Sequence, residues 1–149
     1  MNKNFQYDLY TGGEVWQNKQ LFDKIEVICK GYDDFKEEGI LEFLDDTATI
    51  CCMSKNGDLI GFSWCVISEK KQEAELCWLV MDKNKAKGFD GKQLLDKTLD
   101  YCKERKIKSL KFNCYDVSWG KIKDKDKLLT RYGYNIDKNE KDYDVSIII

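Results

Sequence analysis

The chain has 149 residues, of which 42% are hydrophobic and 35% charged, and its formal net charge is -2. This is the size of one ordinary domain, and the apolar content excludes a disordered chain. Balanced charge argues against nonspecific nucleic-acid binding, and no apolar run approaches the roughly 20 residues that span a bilayer. We expect a single cytoplasmic domain over residues 1–149 that binds neither nucleic acid nor a membrane.

The numbers of cysteines and histidines limit the kinds of site that the chain can form. There are seven cysteines, an odd number without a C-x-x-C pair, and no histidine. These features argue against a disulfide framework and a metal site, and they predict mostly reduced core cysteines. The absence of histidine excludes Ser-His and Cys-His nucleophiles and any histidine general base.

The first part of the chain reads as a strand followed by two helices. Residues 4–10 alternate apolar and polar side chains, which predicts a strand that ends before Gly12 and Gly13. Apolar residues at helical spacing then predict one helix from Glu14 to about Lys30 and a second from about Asp33 to Leu44.

Three strands are predicted next as a meander. Residues 47–54 and 59–67 flank the turn Asn56-Gly57-Asp58, and residues 73–81 form the third strand. Simple alternation in this third strand predicts two faces. One face would carry Leu76, Trp78 and Val80, and the other would carry Glu73, Glu75, Cys77 and Leu79.

The last part of the chain alternates helices and strands. The pattern predicts a helix over Asp90 to Lys106, a strand over 108–114, a helix over Lys125 to Arg131, and a closing strand over 143–149. A strand–helix–strand unit of this length implies a parallel pair with a right-handed crossover. With one further strand, to which no bounds are assigned, between the last helix and the closing strand, the order β α α β β β α β α β β predicts a mixed α/β sheet.

The segment from Val80 to Leu95 is the most informative for function. A strand ends there, a loop with several lysines and Gly88 follows, and a helix begins. Free N–H groups and the helix dipole make such a place suitable for an anion such as a pyrophosphate. The alternative is an ordinary exposed loop in which Asp90 caps the helix.

This segment carries a family resemblance. Val80-x-x-x-x-Lys85-x-x-Gly88-x-Asp90 resembles the coenzyme A motif V-x-x-x-x-[Q/R]-x-x-G-x-[G/A] of the GNAT N-acetyltransferases. The G-D-L-I-G-F meander at 57–62 and the ending Gly133-Tyr134 match the family's order of elements. The resemblance extends from about residue 5 to 149.

The resemblance implies both a fold and a cofactor. The implied fold is an α/β (α+β) domain with a mixed, mostly antiparallel twisted sheet, a central splayed parallel strand pair and about four flanking helices. The implied cosubstrate is acetyl-CoA, with its pantetheine arm along the third meander strand and its pyrophosphate on the loop. The implied cofactor-binding residues are Leu79, Val80, Met81, Lys85, Ala86, Lys87, Gly88, Phe89, Asp90, Gly91 and Asn113.

Three departures from the family pattern affect the catalytic assignments. Lys85 replaces Gln or Arg, Asp90 replaces a small residue unless Gly91 fills that role, and Leu129 lies where many members carry a tyrosine acid. The candidate catalytic groups are therefore Glu75 and Glu73, as a base that works through water, and Tyr132, as an acid. A solvent-facing glutamate pair and a core tyrosine are the alternatives.

Two functions follow from these features. The first is an acetyl-CoA-dependent N-acetyltransferase, in which a primary amine of a small molecule or protein attacks the thioester directly. The second is a catalytically inactive binding or regulatory protein with the same fold. The expected partners are acetyl-CoA and an amine, and the pattern leaves open a homodimer.

Overall fold

The structure, a computed structural model, describes residues 5–32, 44–113, 125–139 and 144–149. The strands are β1 (Phe5–Thr11), β2 (Ala48–Lys55), β3 (Asp58–Ser68), β4 (Glu73–Met81), β5 (Ser109–Asn113), β6 (Ile136–Asn139) and β7 (Asp144–Ile148). The helices in these ranges are α1 (Gly12–Gln17), α2 (Lys19–Cys29), α3 (Asp90–Glu104) and α4 (Lys125–Arg131). The predicted helix over 33–44 lies outside the described residues except for its end at Leu44.

The strands form one sheet in the order β1-β2-β3-β4-β5-β7-β6. Every neighbouring pair is antiparallel except β4 and β5, which run parallel and are joined through α3. The predicted fold class, with one parallel pair inside a mostly antiparallel sheet, is confirmed. No helix in the described segments is long and apolar enough to cross a membrane.

Buried side chains fill both faces of the sheet. On one face α3 and α4 contribute Leu94, Leu95, Cys102 and Leu129 to a core that also contains Phe112. On the other face α1 and α2 cover a second set of side chains that comes mainly from β2, β3 and β4. The sheet is therefore covered on both sides.

The single helix predicted over Glu14 to Lys30 is wrong, because the structure contains two helices that meet at Asn18. The Asn18 backbone is extended, and its side chain accepts a hydrogen bond from the Leu21 N–H at 3.1 Å. Asn18 therefore ends α1 and caps α2, which is a role that asparagine fills well. Thr11 and Glu14 form a capping box at the start of α1.

The predicted faces of the third meander strand are also wrong from Trp78 onward. Trp64 of β3 lies opposite Trp78, whereas the next residue, Cys65, lies opposite Leu76, so Cys77 is an extra residue on β4. Such a β-bulge reverses the side-chain alternation that follows it. Leu79 consequently shares the α3 face with Leu76, while Trp78 packs on the α1–α2 face.

The described cysteines match the predicted reduced core. Five are buried, Cys77 is half-buried, and all six are free thiols. Cys114 lies outside the described residues. No cluster of potential metal ligands occurs in the part of the chain that the structure describes.

Candidate functional site

The parallel pair separates at the point where the sequence places the candidate base. Glu73 lies opposite Ser109 and Glu75 lies opposite Lys111, and the pairing of β4 with β5 ends there. β4 continues to Met81, so its second half has an edge that β5 does not cover. An unpaired strand edge offers backbone donors and acceptors to an extended ligand.

The β3–β4 ladder shows which backbone groups point to this open edge. The Asp82 N–H donates to the Ile60 carbonyl at 2.7 Å, so the backbone of the preceding residue, Met81, points away from β3. Because the direction alternates, Leu79 also points to the open edge, whereas the Val80 backbone faces β3. Of the predicted trio, Leu79 and Met81 therefore present backbone groups to the gap.

Tyr32 is a residue at this edge that the sequence did not reveal. Its hydroxyl donates a hydrogen bond of 2.7 Å to the Met81 carbonyl. Burial, together with the nearby Asp82, raises the pKa of the Tyr32 phenol. The two partners are 49 positions apart, so no local pattern signals the contact.

The loop after β4 is organised by Asp82. Its carboxylate accepts the Asn84 N–H at 2.8 Å and the Lys85 N–H at 3.1 Å, and its carbonyl accepts the Ala86 N–H at 3.0 Å. Lys85 and Ala86 were both predicted to bind the cofactor through the loop backbone. Their N–H groups are already used within the loop.

The available donors lie a few residues later, where α3 begins. Among the residues that the structure describes, none accepts a hydrogen bond from the backbone N–H of Gly88, Phe89, Gly91 or Lys92. Gly88 has a φ of +55°, and a Cβ built on it would have no heavy atom within 4 Å. These four N–H groups lie at the positive end of the α3 dipole, which is an arrangement that suits an anion. We call them the Gly88–Lys92 donors.

Asp90 does not cap α3, contrary to the alternative interpretation of the sequence. The N-cap position is Phe89, which makes no side-chain capping bond, and Asp90 is the first helical residue. Asp90 is only 1% exposed, and its Oδ2 accepts the Lys87 N–H at 3.0 Å. The protein's own carboxylate thus occupies one donor of the loop, namely that of Lys87.

The charge around the loop comes from lysines with different surroundings. Lys83, Lys85 and Lys87 are exposed. Lys92 is held by Asp96 at 2.8 Å, and its ammonium lies 5.8 Å from the centre of the Tyr132 ring. The Lys83 ammonium lies 4.4 Å from the centre of the Tyr32 ring, so Lys85 and Lys87 are the exposed lysines best able to move towards a bound anion.

The predicted acid, Tyr132, lies beside this loop. Its ring packs edge-on against Phe89 with centroids 5.9 Å apart. Phe89 is itself 60% exposed. Tyr132 is therefore associated with the start of α3, and its role as an acid stays a prediction.

Three further residues, in or just after α4 and at the end of β5, have positions that belong to the fold itself. The Tyr134 hydroxyl donates to Asp96, and burial first, then this hydrogen bond, raises the pKa of Tyr134. Leu129, in the position of the family's tyrosine acid, is 1% exposed and belongs to the core. Asn113 is the last residue of β5 and pairs with Asp144 of β7.

The two candidate bases are exposed on β4. Glu75 is the last β4 residue paired with β5, so it lies at the point where the strands separate, while Glu73 lies two residues earlier. The geometry brings Glu75 next to the gap, and the Gly88–Lys92 donors lie beyond the far end of β4. Their roles as catalytic and cofactor-binding groups stay predictions.

Comparison with solved structures identifies the architecture. Tetrahymena GCN5 is similar with a TM-score of 0.69 and 15% identity, over 97% of this chain and 96% of that one. The fold is that of the GNAT acetyltransferases. The IAA acetyltransferase of Bacillus cereus is similar with a TM-score of 0.67 and 11% identity, over 98% of this chain and 100% of that one.

A third GNAT-fold neighbour was solved with a ligand. The PaiA N-acetyltransferase of Thermoplasma acidophilum, in complex with coenzyme A, has a TM-score of 0.62 and 14% identity, over 98% of this chain and 99% of that one. No family model and no curated protein matches the sequence. At these identities the comparisons establish the fold.

Proposed function

We propose that this chain is an N-acetyltransferase that uses acetyl-CoA and a primary amine. The observation that carries the proposal is the group of Gly88–Lys92 donors at the end of a strand whose edge is uncovered. Similar GNAT folds include acetyltransferases, one of them in complex with coenzyme A. The acceptor class is an amine of a small molecule or a protein, and the proposed location is the cytoplasm.

The residues fit the proposed cosubstrate in two places. The Gly88–Lys92 donors and the exposed lysines would hold a pyrophosphate, because backbone N–H groups at a helix start stabilise negative charge. The backbone groups of Leu79 and the N–H of Met81, whose carbonyl already accepts the Tyr32 hydroxyl, would pair with the amides of a pantetheine arm, as an added strand does. Gly88 leaves room for close approach, since no heavy atom lies within 4 Å of the place where a side chain would begin.

Bound acetyl-CoA would supply an activated thioester carbonyl. The chain's own contribution is to hold the amine near this carbonyl, which removes much of the entropic barrier to a bimolecular reaction. Glu75, at the separation point of β4 and β5, would accept the ammonium proton through a water molecule. Tyr132 remains the proposed proton donor to the leaving thiolate.

A binding protein without turnover is the second candidate, and two observations favour it. The Asp90 carboxylate occupies the Lys87 N–H inside the loop, and it would repel a nearby pyrophosphate. In addition, Leu129 is buried where the family resemblance implies a tyrosine acid. Both observations concern cofactor affinity or proton transfer rather than the fold.

A thermal-shift assay followed by a turnover assay tests the proposal. Saturating acetyl-CoA should raise the melting temperature, because a ligand that binds only the folded state stabilises it. A panel of primary amines should then include one that releases free thiol from acetyl-CoA at a rate dependent on the protein. The absence of any shift at millimolar acetyl-CoA would contradict the proposal, while a shift without turnover across the panel would favour the second candidate.

A further inference from the structure

A second recess lies at the other end of α3 from the Gly88–Lys92 donors. It is a cavity of about 520 Å³ between the β1–α1 junction, the start of β2 and the last turn of α3. α3 has 15 residues, so the helix separates the two places by about 22 Å. We call this recess the distal cavity, and its volume is typical of small-molecule sites.

One wall of the distal cavity carries two fixed carboxylates. Glu14 Oε1 accepts the Thr11 N–H at 2.9 Å, and Asp46 Oδ1 accepts the Thr11 hydroxyl at 3.4 Å. Within the described ranges, no group hydrogen-bonds to Glu14 Oε2 or Asp46 Oδ2. Each carboxylate is thus oriented through one oxygen and has the other available for a ligand.

The local sequence builds this wall. Gly12 admits the Asp45 backbone, which a side chain at position 12 would exclude. A Cβ at position 13 would meet only the end of the Asp46 side chain, so Gly13 gives that carboxylate room beside the start of α1. Gly12 therefore sets the backbone position of the segment that carries Asp46.

The lining of the distal cavity also carries a cation. Arg105, just after the end of α3, donates through Nη1 to the Tyr101 hydroxyl at 2.7 Å and through Nη2 to Glu69. Its guanidinium also lies 5.6 Å from the centre of the Tyr101 ring. A guanidinium has five N–H donors, so these contacts fix its position and leave further donors for a carboxylate.

The rest of the lining combines threonine and tyrosine side chains with three aliphatic ones. Leu9, Val66 and Ile67 supply the aliphatic part. Such side chains favour contact with methylene groups over contact with water. A purely cationic ligand would meet Arg105 unfavourably, and a purely anionic one would meet Glu14 and Asp46.

We propose that the distal cavity binds a short zwitterionic amino acid. The ligand's ammonium group lies against Glu14 and Asp46, its carboxylate pairs with Arg105, and its aliphatic stem covers the apolar lining. This site is separate from the proposed acetyl-transfer centre. Its occupancy therefore does not depend on whether acetyl-CoA binds.

Calorimetric titration with a series of amino acids of increasing length tests the proposal. Glycine, 4-aminobutyrate and 6-aminohexanoate vary the separation of the two charges, and at least one should bind with a Kd below about 1 mM. Butylamine and butyrate carry the separate halves of 4-aminobutyrate. Each should bind at least about tenfold more weakly than the best zwitterion.

Variants connect the binding to the charged side chains of the cavity. Asp46→Asn and Arg105→Gln should each weaken binding of the best zwitterion by about tenfold or more. The matched changes Asp58→Asn, at the start of β3, and Arg131→Gln, at the end of α4, should leave it unchanged. Circular dichroism melting would check that all four variants fold.

Three results would overturn the proposal. The first is that no member of the series binds at 10 mM ligand, and the second is that butylamine or butyrate binds as tightly as the zwitterion. The third is that Asp46→Asn and Arg105→Gln bind as the wild type does. A Gly88→Glu variant in the same titration separates the two sites, because it should lose CoA binding and retain amino-acid binding.

Discussion

Asp90 is the residue at which the proposed cofactor site differs most from its family pattern. Its buried carboxylate accepts the Lys87 N–H, so bound pyrophosphate would have to share the loop with a negative charge. Asp90→Asn should tighten CoA binding by about tenfold through loss of that charge. Asp90→Ala should do the same while lowering the free energy of unfolding by about 1 kcal/mol, since a hydrogen bond is lost.

Titration of both Asp90 variants with CoA, alongside thermal melts, measures these two effects. Asp96→Asn serves as a control. Asp96 pairs with the side-chain ammonium of Lys92 on the same helix, but it accepts no observed hydrogen bond from the backbone N–H groups that form the Gly88–Lys92 donors. Equal or weaker CoA affinity in Asp90→Asn would show that the carboxylate does not oppose the cofactor.

Glu75 is the residue whose proposed role depends on strand separation. Glu75→Gln should lower kcat by about ten- to a thousand-fold and weaken the rise of the rate with pH, with CoA affinity unchanged. The physical reason is that a free primary amine is mostly protonated near neutral pH. Steady-state kinetics over a pH series would measure this once the amine panel has supplied an acceptor.

Glu73→Gln is the matched comparison, since Glu73 is equally exposed but lies two residues farther from the gap. It should retain its kcat. Loss of activity in Glu73→Gln alone would mean that the base lies earlier on β4. Full activity in both variants would indicate that the amine loses its proton to solvent and that catalysis is mainly positioning.

The role of an individual residue could be predicted from the sequence only where it depends on the conformation of the local backbone. The motif placed Gly88 in the loop, and its left-handed φ of +55° accounts for glycine there. The motif could not show that Asp82 already occupies the N–H groups of Lys85 and Ala86. Nor could it show Tyr32 at Met81, because that contact joins distant parts of the chain.

Among the secondary-structure elements, α1 has a capping box whose contribution to the free energy of unfolding can be measured. The Glu14 N–H donates to the Thr11 hydroxyl at 3.1 Å, and Glu14 returns the bond to the Thr11 N–H. Thr11→Ala should lower the free energy of unfolding by about 1 kcal/mol. Urea denaturation would measure it, and Thr11→Ser should restore most of the loss; an unchanged midpoint for Thr11→Ala would contradict a capping role.

The order of elements was predictable because hydrophobic periodicity marks helices and strands. Two details of the fold could not be predicted from this periodicity. Apolar residues on both sides of Asn18 keep helical spacing, so the pattern reads as one helix. The break at Asn18 comes from its extended backbone, which that spacing does not show. The bulge at Cys77 depends on pairing with β3, so alternation along β4 alone gave the wrong face for Leu79 and Trp78.

Across the whole molecule, buried thiols determine the response to alkaline pH. Burial raises the pKa from 9.0 to about 11 for Cys51 and Cys102, and to about 12 for Cys29 and Cys52. These thiols stay protonated in the folded state while those of the unfolded chain ionise above about pH 9. Stability should therefore be constant below pH 9 with respect to these groups and fall between about pH 9 and 12.

Denaturation curves at pH 8, 9, 10 and 11 would measure this decline. Cys29→Ala should lower stability at pH 8 through lost packing, but it should show a shallower decline between pH 9 and 11 than the wild type does. An equally steep decline in the variant would mean that Cys29 does not contribute to the alkaline transition.

The assigned cofactor site depends on one proposed interaction, namely that coenzyme A binds the loop and the start of α3 through the Gly88–Lys92 donors. Calorimetric titration of CoA into the wild type, Gly88→Glu and Gly88→Asn tests it most directly. Asparagine tolerates the left-handed backbone of position 88, whereas glutamate adds bulk and negative charge where the pyrophosphate would lie. We expect binding by the wild type and by Gly88→Asn, and none by Gly88→Glu; equal affinity of Gly88→Glu and the wild type would contradict the assigned site.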